Sequence, residues 1–228
     1  MIPLNFLWFQ AANQAAEDGD KQSLIDIITA GGPISIAIFS ILLLLSLMAC
    51  YIFIERWLTI KRAGKVDDNF MNNIRAAVVA GNIQGAKSLC ASTDTPTARM
   101  VEKGLNRIGK PLRDIDAAIE NVGNLEIFKL EKGLSTLASI AGAAPMIGFF
   151  GTVTGMILAF HTMATAENVG PAQLAGGIYQ ALTTTAFGLL IGIIAFVGYN
   201  LLVANVDKAV FNMEATTVEF MDLLQEPS

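Results

Sequence analysis

The chain has 228 residues, 53% of them hydrophobic and only 15% charged, with a formal net charge of −5. That balance is too apolar for an ordinary soluble domain; the net charge itself says little about partners, and no nucleic-acid partner is expected. The apolar residues fall in three blocks that no Asp, Glu, Lys, Arg or His interrupts, at 34–54, 134–160 and 174–206. A chain this short cannot wrap three such blocks into a water-soluble core.

Residues 1–33 set Glu17, Asp18, Asp20 and Asp26 against a single base, Lys21. The opening MIPLNFLWFQ lacks the basic start of a signal peptide, so an external interfacial helix anchored by Trp8 and Phe9 is expected there. The block 34–54 (ISIAIFSILLLLSLMACYIFI) has 21 residues. At ~1.5 Å per helical residue it spans the ~30 Å hydrocarbon core of a bilayer. It is expected to be a lipid-facing anchor. Cys50 in this block and Cys90 beyond it are read as small apolar fillers that do not pair.

Glu55-Arg56-Trp57 and then Lys61-Arg62 mark a membrane boundary. Of the 15 Lys and Arg, 13 lie between Arg56 and Lys132, and the positive-inside rule places 55–133 in the cytoplasm. A first helix there is expected from DDNFMNNIRAAVVAG, with Asp67 and Asp68 in its first turn and Gly81 as its stop. A second is expected over 82–91. A third opens at Thr95-Pro96 and closes at Gly109. Lys110-Pro111 then starts one predicted helix from 112 to 163, about 75 Å long, with Gly123 as its weakest point.

The hairpin 161–173 carries Glu167 and no Lys or Arg, which places it outside, and its shortness makes the second and third spans antiparallel neighbours. Beyond the third span, 207–228 is predicted to continue as an amphipathic helix with Val210, Met213, Thr217, Phe220 and Leu224 on its buried face. The expected architecture is an all-α membrane protein with three transmembrane helices and long cytoplasmic helical extensions. Its N-terminus is outside and its C-terminus inside.

Enzyme chemistry has no support: there is one His, no metal-ligand spacing, no nucleophile beside a base and no phosphate-binding loop, and no cofactor is expected. His161, at the outer end of the second span, is read as solvated. Small residues instead form rows in the second span (Ala144, Gly148, Thr152; Gly151, Gly155, Ala159) and the third (Gly177, Ala181, Thr185; Thr184, Gly188, Gly192). Such rows let membrane helices approach closely. Pro145 removes a backbone bond and is expected to bend the second span. Thr152, Thr154, Thr183, Thr184 and Thr185, with Gln180 one turn earlier, concentrate polarity that is costly against lipid and so should face another subunit or a pore. No span holds an acid or base, so a moving proton needs a carboxylate from elsewhere. A self-contained channel lined by the threonines and a passive scaffold remain the other readings.

At APMIGFFGTVTGM, GIYQALTTTAFGL and the Tyr199-Asn200 pair, the sequence resembles the ExbB/TolQ/MotA family of proton-driven stator subunits, its ExbB branch most closely; Glu55-Arg56 and the three-span layout fit as well. The resemblance implies a homo-oligomeric ring, a pentamer, in a bacterial inner membrane and in contact with its lipids. It also implies an ExbD-like single-span partner whose membrane Asp carries the proton, and a TonB-like protein that is energised, TolQ-like envelope integrity being the alternative output. By motif, Thr152 and Thr185 correspond to the family's pore threonines, and Thr184 and Gln180 are placed on the same pathway; Pro145, Gly148, Gly151, Gly155, Gly188 and Gly192 are assigned to packing and bending. The sequence departs from the family pattern at Gln180, where Glu is common, and at Ile194, where Pro is common. No pore carboxylate is therefore expected from this subunit.

Overall fold

Apolar runs of bilayer length and short capped amphipathic stretches both become helix, and among the described residues there is no strand. The computed structural model describes residues 32–64, 69–165 and 170–225. Its helices are α1 (Gly32–Ala63), α2 (Phe70–Val79), α3 (Ile83–Ser92), α4 (Pro96–Leu105), α5 (Leu112–Glu131), α6 (Leu134–Thr165) and α7 (Pro171–Gln225). Helices α1, α6 and α7 contain the stretches long and apolar enough to cross a membrane. The expected helix at Trp8 and Phe9 lies outside the described residues.

Local chemistry explains most of the ends. Helix α1 runs past Glu55 and finishes on Lys61 and Arg62, whose charge suits the negative end of the helix dipole. Helix α2 starts at Phe70 after Asn69 and has no acid in its first turn; Asp67 and Asp68, expected there, lie outside the described residues. Gly81 stops α2 in the left-handed region, at φ 72°. The Asn82 side chain caps α3 by accepting from the Gly85 amide at 2.9 Å, and Thr95 caps α4 by accepting from the Ala98 amide at 3.2 Å, with Pro96 in the first helical position. Helix α4 ends at Leu105, sooner than predicted, and irregular turns carry the chain to Gly109 at φ 90°.

The single helix predicted from 112 to 163 is two helices. Lys132 takes an extended ψ of 128° and Gly133 a φ of +83°, a conformation that an L side chain rarely adopts. Gly133 then caps α6, its carbonyl accepting from the Leu137 amide at 3.1 Å. Gly123, the expected weak point, stays inside α5, where a Cβ would lie 3.0 Å from Met100 Cε. It is a packing glycine and not a hinge. Helices α6 and α7 extend into the predicted hairpin, to Thr165 and back to Pro171.

The chain divides into two compact units. In the described part of the first, 32–45 with 143–165 and 170–191, Ile38, Leu42 and Ala144 form a buried cluster with Leu45, Ile147, Phe187 and Ile191 packed against it. Phe39 and Phe187 meet edge to face at 5.8 Å. The first span, expected to be a lipid-facing anchor, thus also supplies one face to this core. In the second unit, 46–142 with 192–225, α2, α3, α4 and α5 pack consecutively. The C-terminal part of α7 buries Leu202, Val206, Ala209, Met213, Thr216, Phe220 and Leu223, a spacing of about 3.5 residues. Val210, Thr217 and Leu224, predicted on that face, are only half-buried. Phe220, shared by the predicted and observed faces, is seated on Gly104, where a Cβ would lie 2.5 Å from the ring.

Candidate functional site

Antiparallel packing of α6 on α7 brings the small residues of both helices together. A Cβ added at Gly188 would lie 2.6 Å from the Ala144 carbonyl and 2.8 Å from Gly148 Cα, and one added at Gly148 would lie 2.9 Å from the Thr184 carbonyl. Further along, Gly155 meets Ala181 at 2.8 Å and Gly177 meets Ala159 at 3.0 Å in the same sense. Backbone therefore touches backbone over several turns. The seam takes residues from both predicted rows on each helix, in steps of three or four. Gly192 lies in the other unit and is buried there. Pro145 remains within α6, and its missing N–H leaves the Ala141 carbonyl without its helical donor.

The threonines separate by what they touch. Thr152 Oγ1 and Thr185 Oγ1 are 2.6 Å apart and half-buried. Thr185 also reaches the Gly148 carbonyl at 3.0 Å, and Thr152 the Phe149 carbonyl at 2.8 Å. Each hydroxyl has one proton and can both donate and accept. Two arrangements satisfy the pair: Thr152 donates to Thr185, which donates to Gly148, or Thr185 donates to Thr152, which donates to Phe149. Rotating two hydroxyls exchanges one chain for the other. The pair is therefore a hydrogen-bond chain of reversible polarity.

Thr184 is 1% exposed, and its hydroxyl lies 2.7 Å from the Ala181 carbonyl and 3.3 Å from that of Gly148. A Cβ on Gly151 would collide with this side chain. Gln180 is 8% exposed and donates from Nε2 to Ser35 Oγ of α1 at 3.0 Å. Both residues, read from sequence as pathway residues, thus sit in the internal packing of this unit. Thr154 and Thr183 bond only to carbonyls of their own helices, Phe150 at 2.9 Å and Tyr179 at 2.8 Å. His161 is exposed, as are Phe149, Val153, Ile157 and Phe160. An open groove of about 620 Å³ bordered by Phe149, Thr152, Val153, Met156, Ile157 and Phe160 leaves Thr152 one accessible side.

A second polar cluster, in the other unit, escaped the sequence reading. Glu126 of α5 is 4% exposed, with one oxygen 2.7 Å from Arg99 Nη2 and the other 2.7 Å from Lys129 Nζ. Arg99 also bonds Asp94 at 2.6 Å. Burial pushes the Glu126 carboxyl up, but the hydrogen bonds and charges of Arg99 and Lys129 outweigh it and hold the group below the usual carboxylate range. Arg56, paired with Glu55, donates to the Lys129 carbonyl at 3.0 Å. The i,i+3 spacing of Glu126 and Lys129 was a visible signal, whereas Arg99 comes from a separate helix. Cys90 is buried and its thiol is pushed up to about 11, so it is an inert filler, while Cys50 faces outward on α1.

Residues 92–215 match the MotA/TolQ/ExbB proton channel family. That stretch is more than half of the chain and contains α4, α5, α6 and most of α7, hence the whole seam and the hydroxyl pair. The chain belongs to this family. The biopolymer transport protein ExbB of Neisseria meningitidis serogroup A is 25% identical over 190 residues, covering 77% of this chain and 85% of that protein. The Tol-Pal system protein TolQ of Pseudomonas aeruginosa is 34% identical over 122 residues, 50% of this chain and 53% of that one. A putative ExbB homolog from Methanothermobacter thermautotrophicus is 32% identical over 119 residues, and the match takes in 42% of its length. This member of the MotA/TolQ/ExbB family is therefore a multi-pass membrane protein of proton-channel type, and the family is not one of enzymes.

Proposed function

We propose that the chain is the ExbB-like, ring-forming subunit of a motor that uses proton-motive force to energise TonB-dependent transport across the outer membrane. In this reading five copies surround a pore in the bacterial inner membrane. The N-terminus is outside, and the Lys- and Arg-rich helices and the C-terminus are in the cytoplasm. The observation that carries the proposal is the Thr152–Thr185 hydroxyl pair, set in spans that contain no Asp, Glu, Lys, Arg or His. A chain without a mid-membrane acid cannot itself hold the travelling proton. An ExbD-like single-span partner supplies an Asp, and its helix lies along the open groove beside Thr152. A hydroxyl of the pair donates to the Asp when it is ionised and accepts from it when protonated, and the reversible chain lets it do both. One charge crossing the membrane field releases ~2.3 kcal/mol per 100 mV, which is the energy harvested.

Proton flux in liposomes holding this chain with its single-span partner tests the reading. Replacing the partner's membrane Asp with Asn should abolish flux, and Thr152→Val or Thr185→Val should each lower it about tenfold, or about 1.4 kcal/mol of barrier. Flux from this chain alone would overturn the need for a borrowed acid. The 34% identity to TolQ, higher than that to the Neisseria ExbB though over a shorter stretch, supports a second output, envelope integrity through the same mechanism. A neighbouring gene for a TonB-like protein, rather than TolA- or Pal-like ones, decides between the two.

A further inference from the structure

The second unit contains a cavity of about 250 Å³ between α1 and α7, unrelated to the hydroxyl pair. Its floor is apolar, made by Ile60 at 3% exposed, Leu202 and Ala209. Its rim carries Lys61 and Lys208, with Trp57, Asn205 and Asn212 beside them. Among the described residues neither lysine meets a carboxylate, and Asp207, next to Lys208 in sequence, does not line the cavity. Two ammonium groups over one cavity repel each other unless an anion lies between them.

The approach to the cavity is as informative as its rim. On α1 the exposed residues Leu47, Tyr51, Ile54 and Leu58 form a stripe at steps of three and four that ends on Lys61. On α7 Ile194, Val197 and Leu201 form a second stripe that continues through Asn205 to Lys208. The two helices run in the same direction here, since Phe53 packs on Gly198 and Trp57 and Leu202 border the same cavity. Two exposed apolar tracks, about 17 and 11 Å long at ~1.5 Å per residue, therefore end side by side at two cations and an interfacial Trp. A soluble phosphate would have no use for the tracks, whereas a phospholipid has a part for each feature: chains along the stripes, glycerol on the apolar floor, phosphate between the lysines.

We infer that this cavity is a binding site for the phosphate headgroup of an anionic phospholipid. The lipid joins the end of α1 to α7 through Lys61 and Lys208. The site stands independently of the proton-relay reading.

The test uses the full chain in detergent, with Trp8→Phe so that Trp57 alone reports, titrated with mixed micelles of phosphatidylglycerol or of phosphatidylcholine. Phosphatidylglycerol should shift Trp57 emission at concentrations at least tenfold below phosphatidylcholine, and the preference should vanish in Lys61→Ala/Lys208→Ala but survive in Lys61→Arg/Lys208→Arg. An unaltered preference in the Ala variant, or equal titration by the two lipids in the parent, overturns the assignment. Saturation of the same response by millimolar inorganic phosphate also overturns it, in favour of a soluble anion. Because the parent titration alone can refute the proposal, it remains decisive even if the Ala variant fails to fold.

Discussion

The two units differ in the kind of polarity they bury. Where α6 meets α7 the buried polar groups are hydroxyls, and each reaches a carbonyl of its own or the facing helix within one turn, as Thr184 does with Ala181 and Gly148. The unit built around α4 and α5 also buries hydroxyls, those of Thr97 and Thr216, but among the described residues it alone buries an ion, Glu126, held by Arg99 and Lys129. The difference follows from the surroundings. A hydroxyl satisfied by backbone costs little in hydrocarbon, while an ion needs partners whose outer parts reach water, and Arg99 and Lys129 are 39% and 66% exposed. Local chemistry thus separates a seam that holds only neutral polar groups from a bundle where charge joins helices.

Breaking the seam should have the largest effect. Gly188→Ala places a methyl 2.6 Å from a backbone carbonyl and 2.8 Å from a backbone Cα, and neither can swing away as a side chain would. We expect a loss of roughly 3 kcal/mol, at the upper end of overpacking costs, read as a lowered unfolding midpoint in detergent. An unchanged midpoint would mean that the helices are farther apart than described. Gly104→Ala, by contrast, meets the Phe220 ring and the Ile119 methyl, which can partly yield, so a smaller loss of about 1–2 kcal/mol is expected.

In the ionic bundle Glu126→Ala strands Arg99 and Lys129, but their exposure moderates the penalty to about 1–3 kcal/mol. The pH dependence has a definite sign. The carboxyl is held below its ordinary range in the folded state, so its stabilisation is complete above the unfolded value of about 4.3 and is lost as pH falls through the lower folded value. Acid melts of the parent should show that loss below about pH 4, and Glu126→Ala should flatten it. A parent and a variant with parallel acid melts would remove Glu126 from the account.

The legible features were those with a local signature. Three chargeless runs, a Gly stop at 81, a Thr-Pro start at 95 and rows of small residues each declare themselves within a few positions. The break at Gly133 was masked because the mixed charges before it and the apolar run after it are both helix-compatible, and only the backbone angle distinguishes Gly133 from Gly123. Pairings across helices were also hidden. Nothing near Glu126 announces Arg99, and nothing near Gln180 announces Ser35, 145 positions away in sequence. The sequence pattern placed five threonines together as one polar stripe, yet their orientations divide them into packing, self-bonded and paired groups.

That division yields the smallest predicted effects on stability and the clearest on function. Thr183→Val and Thr154→Val each remove a hydroxyl that bonds only to its own helix, so both stability and proton flux should stay within about 0.5 kcal/mol of the parent. Thr185→Val removes contacts to both Thr152 and Gly148 and should cost about 1 kcal/mol in stability, by the net worth of one hydrogen bond. The diagnostic comparison is Thr185→Ser, which keeps the hydroxyl and loses the methyl: it should restore flux while recovering little packing. If Ser and Val depress flux equally, the methyl and not the proton of Thr185 is what matters, and the seam would be packing alone.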